Sequence, residues 1–273
     1  MAIAERCTIT RLGQGVDRTG RLDPTAVVRT LSAVREYARI ARSLGAEPRA
    51  VGTSALRDAA NRDDFLVPAR EALGNDVRLL SGDEEAFFTY RGALVGLADP
   101  GVVRTVVDIG GGSTEVVTAI GGEVISKVSL QIGAVRLAER FFRSDPPLAA
   151  EVEQVRAAAA SALGAAQIPP GELVAVAGTA TSLAALSLQI EPYDPRRVHG
   201  LVLARQEITR LVDLLVSIPL EARKRLRGIE PARADVLPAG ALILDAAIER
   251  AGASSVRISD RGLRWGLLGE LHV

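Results

Sequence analysis

Hydrophobic and polar positions along this chain alternate between a period of two and a period near 3.6, the pattern of strands interleaved with amphipathic helices. Asp23-Pro24 marks a helix start, with Asp as N-cap and Pro at N1. Apolar residues at 27, 28, 31, 34, 38 and 41 then form one face, and Gly45 closes it. Short β-prone runs are expected at 7–12, 49–53 and 77–80, with helices over 63–73 and from Ser81 to 97. A break at Asp99-Pro100-Gly101 separates the halves. The second half opens on three β-branched runs, 102–108, 114–120 and 123–130, joined by a glycine triplet and by Gly121-Gly122. A helix beginning near Gly133 and an alanine-rich helix over 148–166 follow. A buried strand from Leu173 then runs into a helix at Gly178-Thr179, and helices fill much of 204–250. A strand at 255–258 and a final helix from Gly262 to 271 complete the pattern. Three antiparallel strands followed by helix–strand alternation suit a ribonuclease H-like domain.

Composition narrows the class. The 273 residues are enough for two domains, and 48% hydrophobic with 24% charged residues describes a folded globular protein. Lys+Arg and Asp+Glu both number 33, so no net basic field favours nucleic acid or an anionic membrane, and neither is an expected partner. Lysine occurs only at 127 and 224, so the positive charge is almost all arginine, which suits bidentate phosphate contacts. Cys7 is alone and the histidines are only His199 and His272, which excludes an internal disulfide and Cys- or His-based metal centres. No apolar run reaches the ~20 residues of a spanning helix and no secretory leader is visible, so the expected location is the cytoplasm.

The candidate chemistry lies in Val106-Val107-Asp108-Ile109-Gly110-Gly111-Gly112-Ser113-Thr114-Glu115. Consecutive glycines bring several backbone N–H groups against an anion with no side chain in the way. Asp108 and Glu115 flank the turn, and two carboxylates beside such a cradle can hold Mg²⁺ or position water for phosphoryl transfer. Gly178-Thr179, where a strand meets a helix N-terminus, is either a second anion site or a plain connection. Asp83, Glu84 and Glu85 fall in the first turn of a helix, where the dipole alone favours acids.

Several blocks together carry a resemblance to a known family. They are Gly52-Thr53-Ser54-Ala55-Leu56-Arg57-Asp58-Ala59-Ala60-Asn61, Leu80-Ser81-Gly82-Asp83-Glu84-Glu85-Ala86, the span from Asp108 to Glu115, and Ile132-Gly133-Ala134-Val135-Arg136-Leu137. Gly178-Thr179-Ala180-Thr181, Tyr193-Asp194-Pro195 with Val198-His199-Gly200, and Ser259-Asp260-Arg261-Gly262-Leu263-Arg264 extend it to the C-terminal region. In order and spacing they resemble the exopolyphosphatase/guanosine pentaphosphate phosphohydrolase (Ppx/GppA) family. The resemblance implies an α/β fold, the actin-like, two-domain phosphotransferase architecture of paired ribonuclease H-like domains. Residues 1–100 would form the first domain, completed by a C-terminal helix over 261–273, and 101–260 the second.

The same resemblance implies roles. Glu85 is similar to the family's water-activating base, and Asp108 and Glu115 to its Mg²⁺-binding and water-orienting acids. The amides of Gly110, Gly111, Gly112 and Ser113, with Thr114, correspond to the phosphate cradle. Arg57, Asn61, Gly178, Thr179 and His199 are candidate substrate contacts. The substrate would be inorganic polyphosphate or guanosine pentaphosphate, and a homodimer is expected. One departure stands out: the family's opening Asp-x-Gly-(Ser/Thr)-Asn-Ser loop has no match, and residues 7–16 resemble the third strand of its first domain. The first domain is therefore expected to be incomplete at its N-terminus, with Met1 an internal start, strand 3 separated from strands 4 and 5, and half of the phosphate clamp missing. The alternative is then a non-catalytic regulatory chain that binds phosphate or nucleotide. A kinase or ATPase is disfavoured by the Glu-Glu-Ala block. Trp265 stands where the family commonly has Glu.

Overall fold

The computed structural model describes residues 5–98 and 101–270. Its contacts divide the chain into Met1–Ser81 and Gly82–Val273. The division falls ahead of the expected break at 99–101, of which Asp99 and Pro100 lie outside the described residues.

The first unit is helical, built from α1 (Val16–Thr19), α2 (Pro24–Ser43), α3 (Ser54–Asp58) and α4 (Asp63–Leu73), with β1 (Val51–Gly52) paired in parallel to β2 (Arg78–Leu79). Asp23 caps α2 as its sequence requires, its Oδ1 accepting from the Ala26 N–H at 2.9 Å. Val27 and Leu31 of α2 pack on Leu56, Phe65 and Ala69, whereas Val28 turns out of the expected apolar face and is 66% exposed. The strand expected at 7–12 does not form. The unit's described sheet is the β1–β2 pair alone, and the segment instead lies on α2, through Thr8 Oγ1 to the Tyr37 hydroxyl at 2.6 Å and Arg29 Nε to the Thr10 carbonyl at 2.6 Å.

The second unit holds a six-stranded sheet in the order β5-β4-β3-β6-β8-β7. Strands β3 (Arg104–Ile109), β4 (Thr114–Ile120) and β5 (Glu123–Leu130) form an antiparallel meander. Strands β6 (Glu172–Val176) and β8 (Ser255–Ile258) add in parallel, and β7 (Val202–Ala204) closes the edge antiparallel to β8. Omitting β7, this is the 3-2-1-4-5 order expected of a ribonuclease H-like domain.

Helix α5 (Gly82–Ala93) covers one face of this sheet, with Ala86, Tyr90 and Ala93 packed on Val106, Val117, Val174 and Val176. The other face carries α6 (Ala134–Phe141), α7 (Ala149–Leu163), α8 (Ala177–Leu188) and α10 (Arg205–Ser217), around a central α12 (Leu237–Ala251) buried on nearly every side. The short α9 (Pro195–Val198) and α11 (Leu220–Arg223) link these layers. No described helix is long and apolar enough to cross a membrane.

The last helix, α13 (Leu263–Glu270), crosses α5 with backbone against backbone. A Cβ on Gly92 would overlap the Gly262 carbonyl, and one on Gly266 would overlap that of Phe88. The helix expected over 261–273 thus packs on α5, in the unit that carries the large sheet. Trp265 gains a physical account here: the Arg261 guanidinium stacks over its ring at 4.5 Å while Arg261 Nη1 donates to the Val95 carbonyl at 2.7 Å.

At the strand ends away from the glycine loop, Glu172 bridges two arginines, receiving Arg104 Nε at 2.6 Å and Arg257 Nε at 2.7 Å. Arg104 is buried, so removing its counter-charge strands a cation in the core. Glu172→Gln is expected to lower the stability of this unit by about 3 kcal/mol. Urea unfolding followed by the fluorescence of Trp265, the chain's single tryptophan, measures it; an unchanged midpoint would show that the bridge is dispensable.

Candidate active site

The β3–β4 hairpin sets Asp108 opposite Glu115 in register, at the strand ends that flank the glycine loop. Strand alternation puts both on the face that α5 covers, in line with Val106 and Val117. Helix α5 brings a third acid, Glu85, and one turn later Thr89, whose hydroxyl donates to Asp108 Oδ2 at 3.2 Å. From β5, Ser129 Oγ donates to Glu115 Oε1 at 2.7 Å. The close seat of α5 depends on Gly82, where a Cβ would come within 2.8 Å of the Ser129 Cβ.

Glu85 and Glu115 are buried, and Asp108 keeps a partly exposed edge. Burial, followed by the charge of Glu85, pushes the Asp108 carboxyl up to about 7. Burial, then Glu85 and Asp108, pushes Glu115 up to about 8. Three acids thus share a space that cannot hold three bare negative charges, and a cation or a proton relieves it. Among the described residues no three His, Cys, Asp or Glu side chains form a protein-only metal cage. Asp108 and Glu115 fit the sparser manner of Mg²⁺, which takes one or two carboxylates and fills the rest with water and phosphate oxygens.

The glycine loop is held by its carbonyls. Those of Gly110 and Gly111 accept the N–H groups of Ala134, Val135 and Arg136 at 2.9–3.0 Å, so the loop itself caps α6, and Gly110 N–H closes the turn on the Ser113 carbonyl at 3.0 Å. Gly133 is obligatory there, because a Cβ would overlap the Gly111 carbonyl. In a trans peptide C=O and N–H point oppositely. The amides of Gly111, Gly112 and Ser113 therefore face away from α6, toward the carboxylates, and none of the three donates a hydrogen bond among the described residues. The Thr114 hydroxyl turns inward to the Ile132 carbonyl at 2.7 Å, which makes it a brace and not a ligand group.

The other sequence candidates divide. Asp108 pairs with Val176 of β6, so α8 begins at the same end of the sheet as the glycine loop. Thr179, however, is buried against Gly240 of α12, and Gly178 lies under the guanidinium of Arg233. Arg233 was not singled out by sequence: it sits in a motif-free stretch, and no carboxylate pairs with it among the described residues. His199 lies at the far end of α5 from Glu85. Its Nδ1 is 3.3 Å from Ser259 Oγ, which donates to the carbonyl of Ala93, the last residue of α5. Burial, then the nearby Arg261 charge, holds His199 below its ordinary value. Asn61 uses its amide within the first unit, clipping both backbone groups of Leu22 at 2.7 and 3.2 Å and reaching Asp64 at 2.9 Å. Arg57, also in the first unit, donates to the Leu80 carbonyl at 2.7 Å.

Comparison with known proteins shows the family and the fold. The profile of the Ppx/GppA phosphatase family matches residues 1–272. The chain is 37% identical over 274 residues to exopolyphosphatase 2 of Mycobacterium tuberculosis, covering 95% of this chain and 86% of that protein. It is 31% identical over 267 residues to the guanosine-5′-triphosphate,3′-diphosphate pyrophosphatase of Vibrio atlanticus, covering 96% of this chain and 52% of that one. Among solved structures, the Aquifex aeolicus Ppx/GppA family member superposes with a TM-score of 0.83 at 37% identity, over 99% of this chain and 89% of that one. The fold is the α/β, actin-like one of these proteins.

The crowded carboxylates make stability depend on pH in an unusual direction. Their folded values lie above the ordinary 3.8 and 4.5, so between about pH 4 and pH 8 the folded chain binds more protons than the unfolded chain. Stability contributed by these groups is present below that window and lost as pH rises through it. In chelator, Tm is expected to be at least about 5 °C lower at pH 9 than at pH 6. Asp108→Asn should flatten that slope. Equal slopes in the two proteins would refute the repulsion.

Proposed function

The chain belongs to the Ppx/GppA phosphatase family, and on that premise we propose that it is a Mg²⁺-dependent phosphohydrolase. It would release the terminal phosphate of inorganic polyphosphate or the 5′-terminal phosphate of guanosine pentaphosphate. The observation that carries this reading is the juxtaposition of three outward loop amides, which donate no hydrogen bond among the described residues, with the two buried carboxylates of Glu85 and Glu115 and the partly buried one of Asp108. The amides of Gly111, Gly112 and Ser113 receive the oxygens of the terminal phosphoryl group, where negative charge develops. Asp108 and Glu115 would hold Mg²⁺, which would supply positive charge to offset that of the phosphoryl group. Glu85, projecting from a rigid helix and nearly stripped of solvent, orients the attacking water and takes its proton.

Polyphosphate is the better supported of the two substrates. The relative named exopolyphosphatase is matched over 86% of its length, the one named pyrophosphatase over 52%. A linear anhydride chain also asks nothing of the site beyond repeated phosphate recognition, which the loop and the Arg233 guanidinium at the same sheet end supply.

Phosphate release from polyphosphate and from guanosine pentaphosphate, with Mg²⁺ and with chelator, tests the proposal. Turnover is expected only with Mg²⁺. Glu85→Gln should lower kcat by about 10²–10³-fold while KM stays close to that of the parent protein. A Glu85→Gln protein that hydrolyses as fast as its parent would remove Glu85 from the mechanism.

A further inference from the structure

The carbonyls on the inner side of the glycine loop are not all satisfied in the same way. Those of Gly110 and Gly111 accept backbone N–H groups of α6. The third, on Gly112, accepts from a side chain: Arg136 Nε donates to it at 2.6 Å. Arg136 Nη2 donates to Gln131 Oε1 at 3.1 Å, and its backbone N–H to the Gly111 carbonyl at 3.0 Å. One residue therefore grips two successive peptides of the loop, and its guanidinium is itself tethered.

The Gly112–Ser113 peptide has the most to lose. Its N–H belongs to Ser113, whose hydroxyl bonds Glu115, so it is the loop amide tied most directly to the acidic cluster. Gly112 has no Cβ to bias its backbone, and a glycine peptide without a brace rotates readily. Fixing the carbonyl on the α6 side fixes the N–H on the carboxylate side. A positive charge at 2.6 Å from the carbonyl oxygen also polarises the peptide and makes the Ser113 N–H a stronger donor.

We infer that Arg136 is a positioning residue for phosphoryl binding, which aims and strengthens the Ser113 amide from behind the loop without touching substrate. The inference rests on the hydrolase reading and adds to it a residue outside the glycine motif.

The experiment compares Arg136→Ala and Arg136→Lys with Arg140→Ala, an exposed arginine one turn further along the same helix. Arg136→Ala is expected to lower kcat for Mg²⁺-dependent phosphate release by about 10–100-fold, with KM moving less than about threefold. Arg136→Lys should recover part of the loss, because an ammonium can meet one carbonyl but not both acceptors. Arg140→Ala should match the parent. A second measurement follows the Ser113 backbone amide resonance during titration with orthophosphate. The response should appear in the parent and in Arg140→Ala and be lost in Arg136→Ala. Parent-like kcat in Arg136→Ala overturns the inference, as does a Ser113 response equal in both proteins or absent from the parent. If the parent releases no phosphate from either substrate, the hydrolase reading fails separately, and the amide titration alone decides the role of Arg136.

Discussion

The capping of α6 by the carbonyls of the glycine loop is the contact on which the site depends. A helix leaves its first amides without partners, and an Asp, Ser or Thr side chain usually supplies the acceptor. Here Gly133 occupies the cap position with no side chain to offer, and the carbonyls of Gly110 and Gly111 take that place. Two needs are met by one set of bonds. The helix gains its missing acceptors, and the loop acquires a fixed orientation with its own amides turned outward. Without this exchange Gly110, Gly111 and Gly112 would sample many conformations, and binding an anion would first require ordering them. The α6 N-terminus is consequently no anion site, because its donors are consumed inside the protein.

The carboxylates opposite the loop represent the reverse arrangement, a deliberately poor packing of like charges. Burial and the charge of Glu85 raise the proton affinity of Asp108 and Glu115, in a space that hydroxyls of Thr89 and Ser129 only partly satisfy. Such frustration is tolerated where the surrounding structure outweighs it. The apolar layers on both faces of the sheet and the bridged arginines at its other end supply that surplus. Stability is concentrated at the base of the strands and strain at their tips, beside the loop.

Much of the second unit was legible in the amino-acid sequence. The β3–β5 meander, α6, α7, the β6–α8 junction and β8 follow from period and turn residues, because alternation and glycine punctuation are local signals. Asp108 and Glu115 were visible for the same reason, flanking a glycine triplet. Glu85 was not distinguishable from its neighbours Asp83 and Glu84 by local pattern, and only family resemblance selected it. What failed did so for tertiary reasons. Residues 7–12 have strand composition but pair with no strand among the described residues. Asn61 has chemistry suited to a ligand, yet its amide holds the Leu22 backbone and Asp64, partners that sequence does not reveal. The converse holds for Arg136 and Arg233, whose importance lies wholly in which carbonyl or glycine they reach across the fold.

The crossing of α5 and α13 bears on how the molecule is assembled. Helix α5 precedes the whole large sheet in the chain and α13 follows it, yet their backbones touch at Gly92 and Gly266. A contact between segments so far apart in sequence is paid for late, after many intervening residues have lost their freedom, and such topologies fold slowly. Until that crossing forms, α5 rests on one side only and Glu85 has no fixed position over Asp108. The chain can complete its glycine loop and α6 cap from neighbouring residues early in folding, while the helix that carries Glu85 locks late, so the acidic cluster is assembled after the loop it faces.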